Sequence, residues 1–178
     1  DTGGTERMII DSTGVGIGTS SPSSQLHLSA ATPTIQFTDS DNNADAYIQG
    51  TDGNLRFFAD DNQEASNSII TFAVDGSEKM RIDSSGNVGI GNSSASSFTG
   101  AASQNLVVGS GSGNAGMTVY SGTTSLGGLA FADGTAAGSH YRGLVQYRHS
   151  EDAMLLYTGE AERMRIDSSG SLIIGKTS

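Results

Sequence analysis

The sequence of 178 residues contains no cysteine, no tryptophan, two prolines and only nine lysines and arginines. The absence of cysteine excludes disulfide scaffolds, thiolate metal sites and cysteine catalysis. Nineteen acidic residues give a net charge of -10, so the surface would repel a polyanion. No apolar run approaches the roughly 18–20 residues of a membrane span. We therefore predict neither nucleic-acid binding nor membrane insertion.

Large apolar side chains are also scarce. Leu, Ile, Val and Phe total 35 residues, whereas Gly, Ser and Thr total 68 of 178. An apolar content of about a fifth lies near the level at which compositions are typical of disorder. One chain therefore has few residues with which to build a core of its own.

A nine-residue motif, Glu-(Arg/Lys)-Met-(Ile/Arg)-Ile-Asp-Ser-(Thr/Ser)-Gly, occurs three times, at residues 6–14, 78–86 and 162–170. A short tail rich in Val, Leu, Ile and Gly follows each copy, at residues 15–18, 88–91 and 172–175. The aspartate recurs after 72 and then 84 residues, which is longer than an ordinary solenoid repeat. Each repeat is therefore predicted to be a small module of several strands.

The segments between the motifs correspond more loosely; residues 55–58, for example, match residues 154–157. The predicted organisation is an end hairpin of a preceding repeat at 1–18, fibre repeat 1 at 19–91, and fibre repeat 2 with its terminal hairpin at 92–178.

The motif has the periodicity of a β-strand. Charged and apolar residues alternate around Met164 and Ile166, which places the apolar side chains on one face and the charges on the other. The aspartate can bond back to the backbone of a turn, and the glycine can supply a positive φ. No window holds apolar residues at helical spacing for three turns. We predict an all-β chain built from repeated hairpins.

Short strands with one apolar face are marginal alone, because their burial offsets little of the ordering cost. Association of copies would combine the apolar stripes, so we predict an obligate homo-oligomer, with a homotrimer as the favoured state. Glycines such as Gly16 and Gly89 are expected to allow close backbone approach at the common axis. Arg81 and Arg165 are expected to pair with acids on the outer face. The predicted trimer core consists of Met8, Ile10, Met80, Ile82, Val88, Ile90, Met164, Ile166 and Ile174.

Residues 78–91, from Glu78 to Gly91, resemble the repeat of bacteriophage tail fibres and tailspikes that often precedes a C-terminal intramolecular chaperone domain. Residues 14–28 and 127–133 resemble the same family. The resemblance implies an elongated, intertwined homotrimeric β fibre of the β-prism or triple-stranded β-helix kind, located in the virion. It implies a shaft segment that acts in host-cell attachment, alongside other tail or virion proteins. The third copy departs from the family pattern, with Leu172-Ile173-Ile174 in place of Val-Gly-Ile.

Candidate binding residues fall into two sets. Oxygen ligands alternate as in the start of a calcium loop, but Ala44 and Gly50 stand where an EF-hand needs glycine and a bidentate glutamate. These weak metal candidates are Asp39, Asp41, Asn43 and Asp45. A polar, aromatic cluster is the candidate contact for a host glycan or protein: His140, Tyr141, Arg142, Tyr147, Arg148 and His149.

We predict no enzyme activity and no cofactor. A nucleophile elbow is absent from the sequence, and its strand-to-helix turn does not suit an all-β chain. Acidic pairs such as Glu151-Asp152, and Glu160 with Glu162, leave glycoside hydrolysis as an alternative. A portion of a glycan-degrading tailspike, and a bacterial trimeric surface adhesin or extracellular filament, are therefore the alternative functions.

Overall fold

The computed structural model describes residues 7–98 and 105–175 and is all-β. It divides into two compact units, residues 1–116 and 117–178. The first unit contains β1 Met8–Ile10, β2 Val15–Ile17, β3 Leu26–Leu28, β4 Thr34–Thr38, β5 Asp45–Thr51, β6 Asn54–Ala59, β7 Ile70–Val74, β8 Ser77–Ile82, β9 Val88–Ile90 and β10 Leu106–Val108, with a 3-10 turn at Ala95–Ser97. The second unit contains β11 Leu126–Phe131, β12 Gly143–Arg148, β13 Ala153–Thr158, β14 Ala161–Ile166 and β15 Leu172–Ile174.

The strands form four open sheets in the described ranges. Sheet A is β1-β2-β3, sheet B is β4-β5-β6, sheet C is β10-β9-β8-β7, and sheet D of the second unit is β11-β12-β13-β14-β15. Neighbours are antiparallel except β2 with β3 and β9 with β10, which are parallel. Because β10 joins sheet C, the first strand of the predicted repeat 2 lies in the same unit as repeat 1. The unit division by contacts therefore falls later than the repeat boundary in sequence.

Each motif copy forms a hairpin with its tail, in one common register. Within each hairpin, the motif methionine faces an isoleucine of the tail, and the motif isoleucine two residues later faces a valine or leucine. The pairs are Met8 with Ile17 and Ile10 with Val15, Met80 with Ile90 and Ile82 with Val88, and Met164 with Ile174 and Ile166 with Leu172. The predicted repeated hairpin is confirmed.

The aspartate of the motif organises the turn. Asp83 Oδ1 accepts the Ser85 N–H at 3.0 Å and the Asn87 N–H at 2.9 Å, and Asp167 makes the equivalent bonds in the third copy. Hydrogen bonds from the neighbouring turn residues hold the pKa of both carboxyls below the usual range. Gly86 has φ of 82°, as expected. Gly14 does not have a positive φ. Glycine is required there for space, because a Cβ would lie 2.5 Å from the Gln25 backbone.

The loose correspondence between the repeats needs one correction. Residues 55–58 lie in β6 and pair with β5, but they do not pair with the motif strand β8. The partner of β8 is a further strand, β7, in which Phe72 faces Met80. In the second unit β13 alone takes the place of both β6 and β7, because it pairs with β12 on one side and with the motif strand β14 on the other. In this region the first repeat therefore has one more strand than the second. Its strands belong to two separate sheets, B and C, whereas those of the second repeat all belong to sheet D.

Gly16 and Gly89 each allow a close backbone approach within one chain. Both glycines lie on the face opposite the motif's apolar side chains, where the chain leaving the hairpin crosses the sheet. A Cβ on Gly16 would lie 2.7 Å from the Thr19 carbonyl oxygen, and one on Gly89 would lie 2.1 Å from that of Asn92. This contact alone requires glycine at both positions, and the predicted approach of backbones at a common axis stays a prediction.

The alternation of each sheet collects its apolar residues on one face, which we call the apolar face. The pairing places the following side chains there: Met8, Ile10, Val15, Ile17, Leu26 and Leu28 in sheet A; Ile35, Phe37, Ile48, Leu55 and Phe57 in sheet B; Ile70, Phe72, Val74, Met80, Ile82, Val88, Ile90, Leu106 and Val108 in sheet C; Leu129, Phe131, Val145, Tyr147, Met154, Leu156, Met164, Ile166, Leu172 and Ile174 in sheet D. All nine predicted core residues lie on these apolar faces.

A β-bulge in the motif strand sets the charges of the opposite, polar face. The register shifts between Leu156 and Tyr157, so that Glu162 and Arg165 point to the same side although they are three residues apart. Arg165 Nε and Nη2 donate to the two carboxylate oxygens of Glu162 at 2.5 and 2.7 Å. The same shift in sheet C aligns Glu78 with Arg81, at 2.6 and 2.7 Å. The predicted arginine–acid pairs are therefore present.

Neutralising Glu162 should remove an acid-sensitive part of the stability. The hydrogen bond from Arg165 lowers the pKa of Glu162 below its ordinary value of 4.5, so its stabilisation is present above that value and is lost as pH falls through the lowered pKa. Thermal unfolding of Glu162→Gln, scanned from pH 7 to pH 3, should show a lower Tm than the parent above about pH 4.5, and the two should converge in acid. Glu160→Gln is the control. Glu160 is largely exposed, and its distance to Arg142 is 3.6 Å, longer than the hydrogen bonds between Glu162 and Arg165. A parallel offset at every pH would contradict the assignment.

Candidate functional site: an uncovered apolar face and an outer groove

Many of the large side chains on the apolar faces are exposed in the described chain. Of the predicted core, Met8, Ile10, Ile90, Ile166 and Ile174 are exposed, with Ile10 at 69 % and Ile174 at 70 %, and the other four are half-buried. The buried apolar residues of the described ranges are Ala95, Ala153 and Leu155. None of these three belongs to the predicted core. Within one chain, the residues that were expected to be innermost are therefore open to solvent.

The polar face of sheet D is organised differently, around a buried leucine. Leu155 is 0 % exposed and lies between Gln146 and Arg165 of the neighbouring strands. Charged side chains form a network on this face. Arg148 donates to Glu151 at 2.6 Å and to the Tyr157 hydroxyl at 2.9 Å, and Arg165 lies 3.6 Å from Glu151. The charged groups named here are paired within one chain, so this face is suited to contact with solvent.

A groove of about 500 Å³ opens on the same polar face. It is lined by Leu126, Ala130, His140, Tyr141, Leu144, Gln146, Arg148, Tyr157 and Glu160. Gln146 is 8 % exposed, and its side-chain amide makes no hydrogen bond to the described residues. The charged groups at the rim are already paired, Arg148 with Glu151 and Glu160 with Arg142. Apolar walls, two tyrosine rings and an unused amide suit a neutral ligand with a flat apolar side and hydrogen-bonding groups.

The six predicted contact residues do not form one site. His140, Tyr141 and Arg148 share the outer groove, where the His140 and Tyr141 rings lie 5.9 Å apart. Tyr147 lies on the apolar face, packs edge-to-face on His149 at 4.9 Å, and donates its hydroxyl to Asp152. The rest of the predicted cluster, Arg142, lies between Asp133 and Glu160. The alternation of β12 separates residues that are adjacent in sequence.

Two of the four calcium-loop candidates, Asp39 and Asp45, accept hydrogen bonds from the chain itself. Asp39 Oδ1 accepts the Asp41 N–H at 3.0 Å, as in an Asx turn, and Asn43 has φ of 60°. Asp45 accepts the hydroxyls of Thr38 at 2.5 Å and Tyr47 at 3.3 Å, and the first of these bonds lowers its pKa. No group of three or more His, Asp or Glu side chains in the described residues is placed to hold a metal ion.

The acidic pairs considered for glycoside hydrolysis have structural partners. Glu151 pairs with Arg148, Glu162 pairs with Arg165, and Glu160 lies 3.6 Å from Arg142.

The tyrosine and phenylalanine of sheet B, Tyr47 and Phe58, pack edge-to-face across neighbouring strands at 5.9 Å. These side chains are therefore explained by packing and ion pairing.

Sequence reasoning missed Gln146, Leu144 and Glu160 as parts of the outer groove. Gln146 stands in an alternating strand like other outward polar residues, and nothing in its sequence neighbourhood indicates burial. Its direct neighbours on the same face are Gly128 of β11 and Leu155 of β13, which lie far from it in sequence.

Comparisons with known proteins return no match among family models, curated proteins or solved structures. Among the described residues, no helix has the length and hydropathy to cross a membrane.

Proposed function

We propose that this chain is a structural segment of a phage tail fibre, in which three copies form a rigid spacer that presents the attachment apparatus to the host cell. The observation that carries the proposal is the continuous apolar face of each of the four sheets, which one chain leaves open. Two further copies are the occupants that fit, because each would bring the same apolar face and would gain by the same burial.

The two faces of each sheet support this arrangement. In a trimer whose apolar faces meet, the ion pairs Glu78–Arg81 and Glu162–Arg165 would point outward. The crossing segments at Gly16 and Gly89 would lie outside as well. The function is mechanical: a shared core would give stiffness to strands that are too short to be stable alone.

Antibodies against the purified chain test the location. Immunogold labelling of mixed phage and bacterial preparations should place gold on the phage tail appendages. Gold confined to bacterial surfaces would contradict the proposal and favour the adhesin alternative.

The outer groove is the place where the fibre would touch a host glycan or protein. On an array of bacterial surface polysaccharides, Tyr141→Ala and Gln146→Ala should each weaken binding about tenfold, since the first removes a stacking ring and the second an unpaired side-chain amide from the groove. The matched control is Tyr120→Ala, because Tyr120 is 97 % exposed and lies outside the groove. Equal binding by the parent and all three variants would eliminate the groove as a contact site.

A further inference from the structure

Residues 117–121, with the sequence Met-Thr-Val-Tyr-Ser, stand at the beginning of the second unit and belong to no sheet. We call them the unpaired segment. The chain runs through them without a turn or bend, and none of them has a positive φ. Their backbone N–H and carbonyl groups make no hydrogen bond to the described residues. Valine, threonine and tyrosine favour strands, so the segment has the composition and course of a strand without the pairing of one.

The unpaired segment lies over the apolar face of sheet D. Gly127 of β11 pairs with Tyr147, so a Cβ added to this glycine would point to that face. The added Cβ would lie 3.3 Å from Ser121 Oγ and 3.5 Å from Val119 Cγ1. Val119 is also one wall of a groove of about 370 Å³, whose floor includes Leu129 and Tyr147. The segment is therefore part of the surface that the proposed trimer would bury.

Two observations indicate that this surface is incomplete in one chain. Ser121 Oγ is shielded from solvent and has no hydrogen-bond partner, which is true of no other buried or half-buried side chain in the described ranges. Buried hydroxyls in folded proteins almost always have a partner. Alternation along the segment places Tyr120 on the side away from the sheet, and this residue is 97 % exposed. One side of the segment therefore lacks a hydrogen-bonding group, and the other lacks a packing neighbour.

Covering the apolar face of sheet D would enclose the unpaired segment. Its five N–H groups and five carbonyls would then leave water, and their own chain offers them no partner. Buried backbone groups are nearly always paired in native proteins, so whatever covers the segment has to bring hydrogen-bonding groups as well as apolar side chains. A strand edge presents N–H and carbonyl groups in a regular row, which is the pattern that the segment requires.

We propose that residues 117–121 form a β-strand with a neighbouring copy of this chain. The proposal rests on the proposed trimer, because the trimer places other copies on the apolar face where the segment lies. Apolar contact is non-directional, whereas strand pairing has a register. The added strand would therefore fix how each second unit is placed against the next copy. Backbone groups carry the pairing, so Tyr120→Ala is expected to keep it.

Hydrogen exchange of the purified oligomer, read by mass spectrometry, tests the pairing. Alternate amides of residues 117–121 should exchange about a hundredfold or more slowly than in a free peptide with the sequence of residues 114–124. Residues 110–115 are the internal control, since their amides also make no backbone hydrogen bond and they contain no β-branched or aromatic residue. They should exchange at the rate of a free peptide. The sample consists of residues 1–178, so no further part of a longer chain can supply the protection.

Photo-crosslinking of the same oligomer identifies the partner. Benzoylphenylalanine in place of Tyr120 should give products of two and three chain masses on a denaturing gel after irradiation. The control carries benzoylphenylalanine in place of Thr71, which is exposed on the polar face of sheet C, and should stay at one chain mass.

The outcomes separate this proposal from the trimer on which it rests. An oligomer of full mass whose residues 117–121 exchange like the free peptide, or whose Tyr120 position crosslinks within one chain alone, would overturn the intermolecular strand and leave the trimer standing. A monomer in solution would overturn both.

Discussion

Replacing Ile82 with aspartate is expected to abolish assembly of the chain. Ile82 lies on the apolar face of sheet C, between Ile70 of β7 and Val88 of β9. In the proposed trimer, three carboxylates would enter a core that holds no water, and each would cost several kcal/mol without a partner. The single chain can tolerate the change, because its apolar face is open to solvent. The loss should therefore appear in the oligomer and not in the fold of one sheet.

Thr71→Asp is the matched control for Ile82→Asp. Thr71 lies in the same sheet, is exposed, and faces Arg81 on the polar face, so its aspartate would meet solvent and a cation. Light scattering during size exclusion should give the parent mass for Thr71→Asp and a lower mass for Ile82→Asp. Ile82→Asp oligomers of full mass and unchanged heat resistance would show that the apolar face of sheet C is not the interface.

Gly89→Ala should be among the most damaging substitutions on the outer face. Its Cβ would lie 2.1 Å from the carbonyl oxygen of Asn92, and the contacting atom is backbone, which cannot rotate away. Either the crossing segment lifts and the β9–β10 pairing weakens, or sheet C distorts. Overpacking of this kind typically costs about 1–3 kcal/mol, which corresponds to a fall in Tm of roughly 5 °C or more.

The control for Gly89→Ala is Gly116→Ala, in the same unit. Gly116 has no neighbouring atom within 4 Å of an added Cβ and no positive φ, so its Tm should stay within about 1 °C of the parent. Differential scanning calorimetry compares the three proteins. If Gly89→Ala melts with the parent, the crossing of the sheet at this glycine is wrong.

The hairpins were predictable because their causes are local. Alternation around Met164 and Ile166, followed by an aspartate turn and a glycine, decides strand, turn and facing within a dozen residues. Arg81 and Arg165 were predicted to pair with nearby acids, but the choice of Glu78 and Glu162 depends on the bulge, which sequence spacing alone does not reveal.

The rest depends on which strands become neighbours. The sequence does not reveal that the chain after each hairpin crosses directly over Gly16 and Gly89. In the first unit β6 pairs with β5 and β7 pairs with the motif strand, whereas in the second unit β13 alone makes both kinds of pairing. This difference follows from pairing between distant segments. The outer groove likewise joins residues of β11, β12 and β13, and the contact cluster around Tyr147 was split by the two faces of one strand.

The mass of the chain in solution tests the central claim most directly. Multi-angle light scattering during size exclusion, over a dilution series, should give about three times the chain mass of 18.2 kDa at every concentration, with an elongated hydrodynamic radius. A compact monomer near 18.2 kDa would contradict the shared core, because the apolar faces would then have to be covered within one chain.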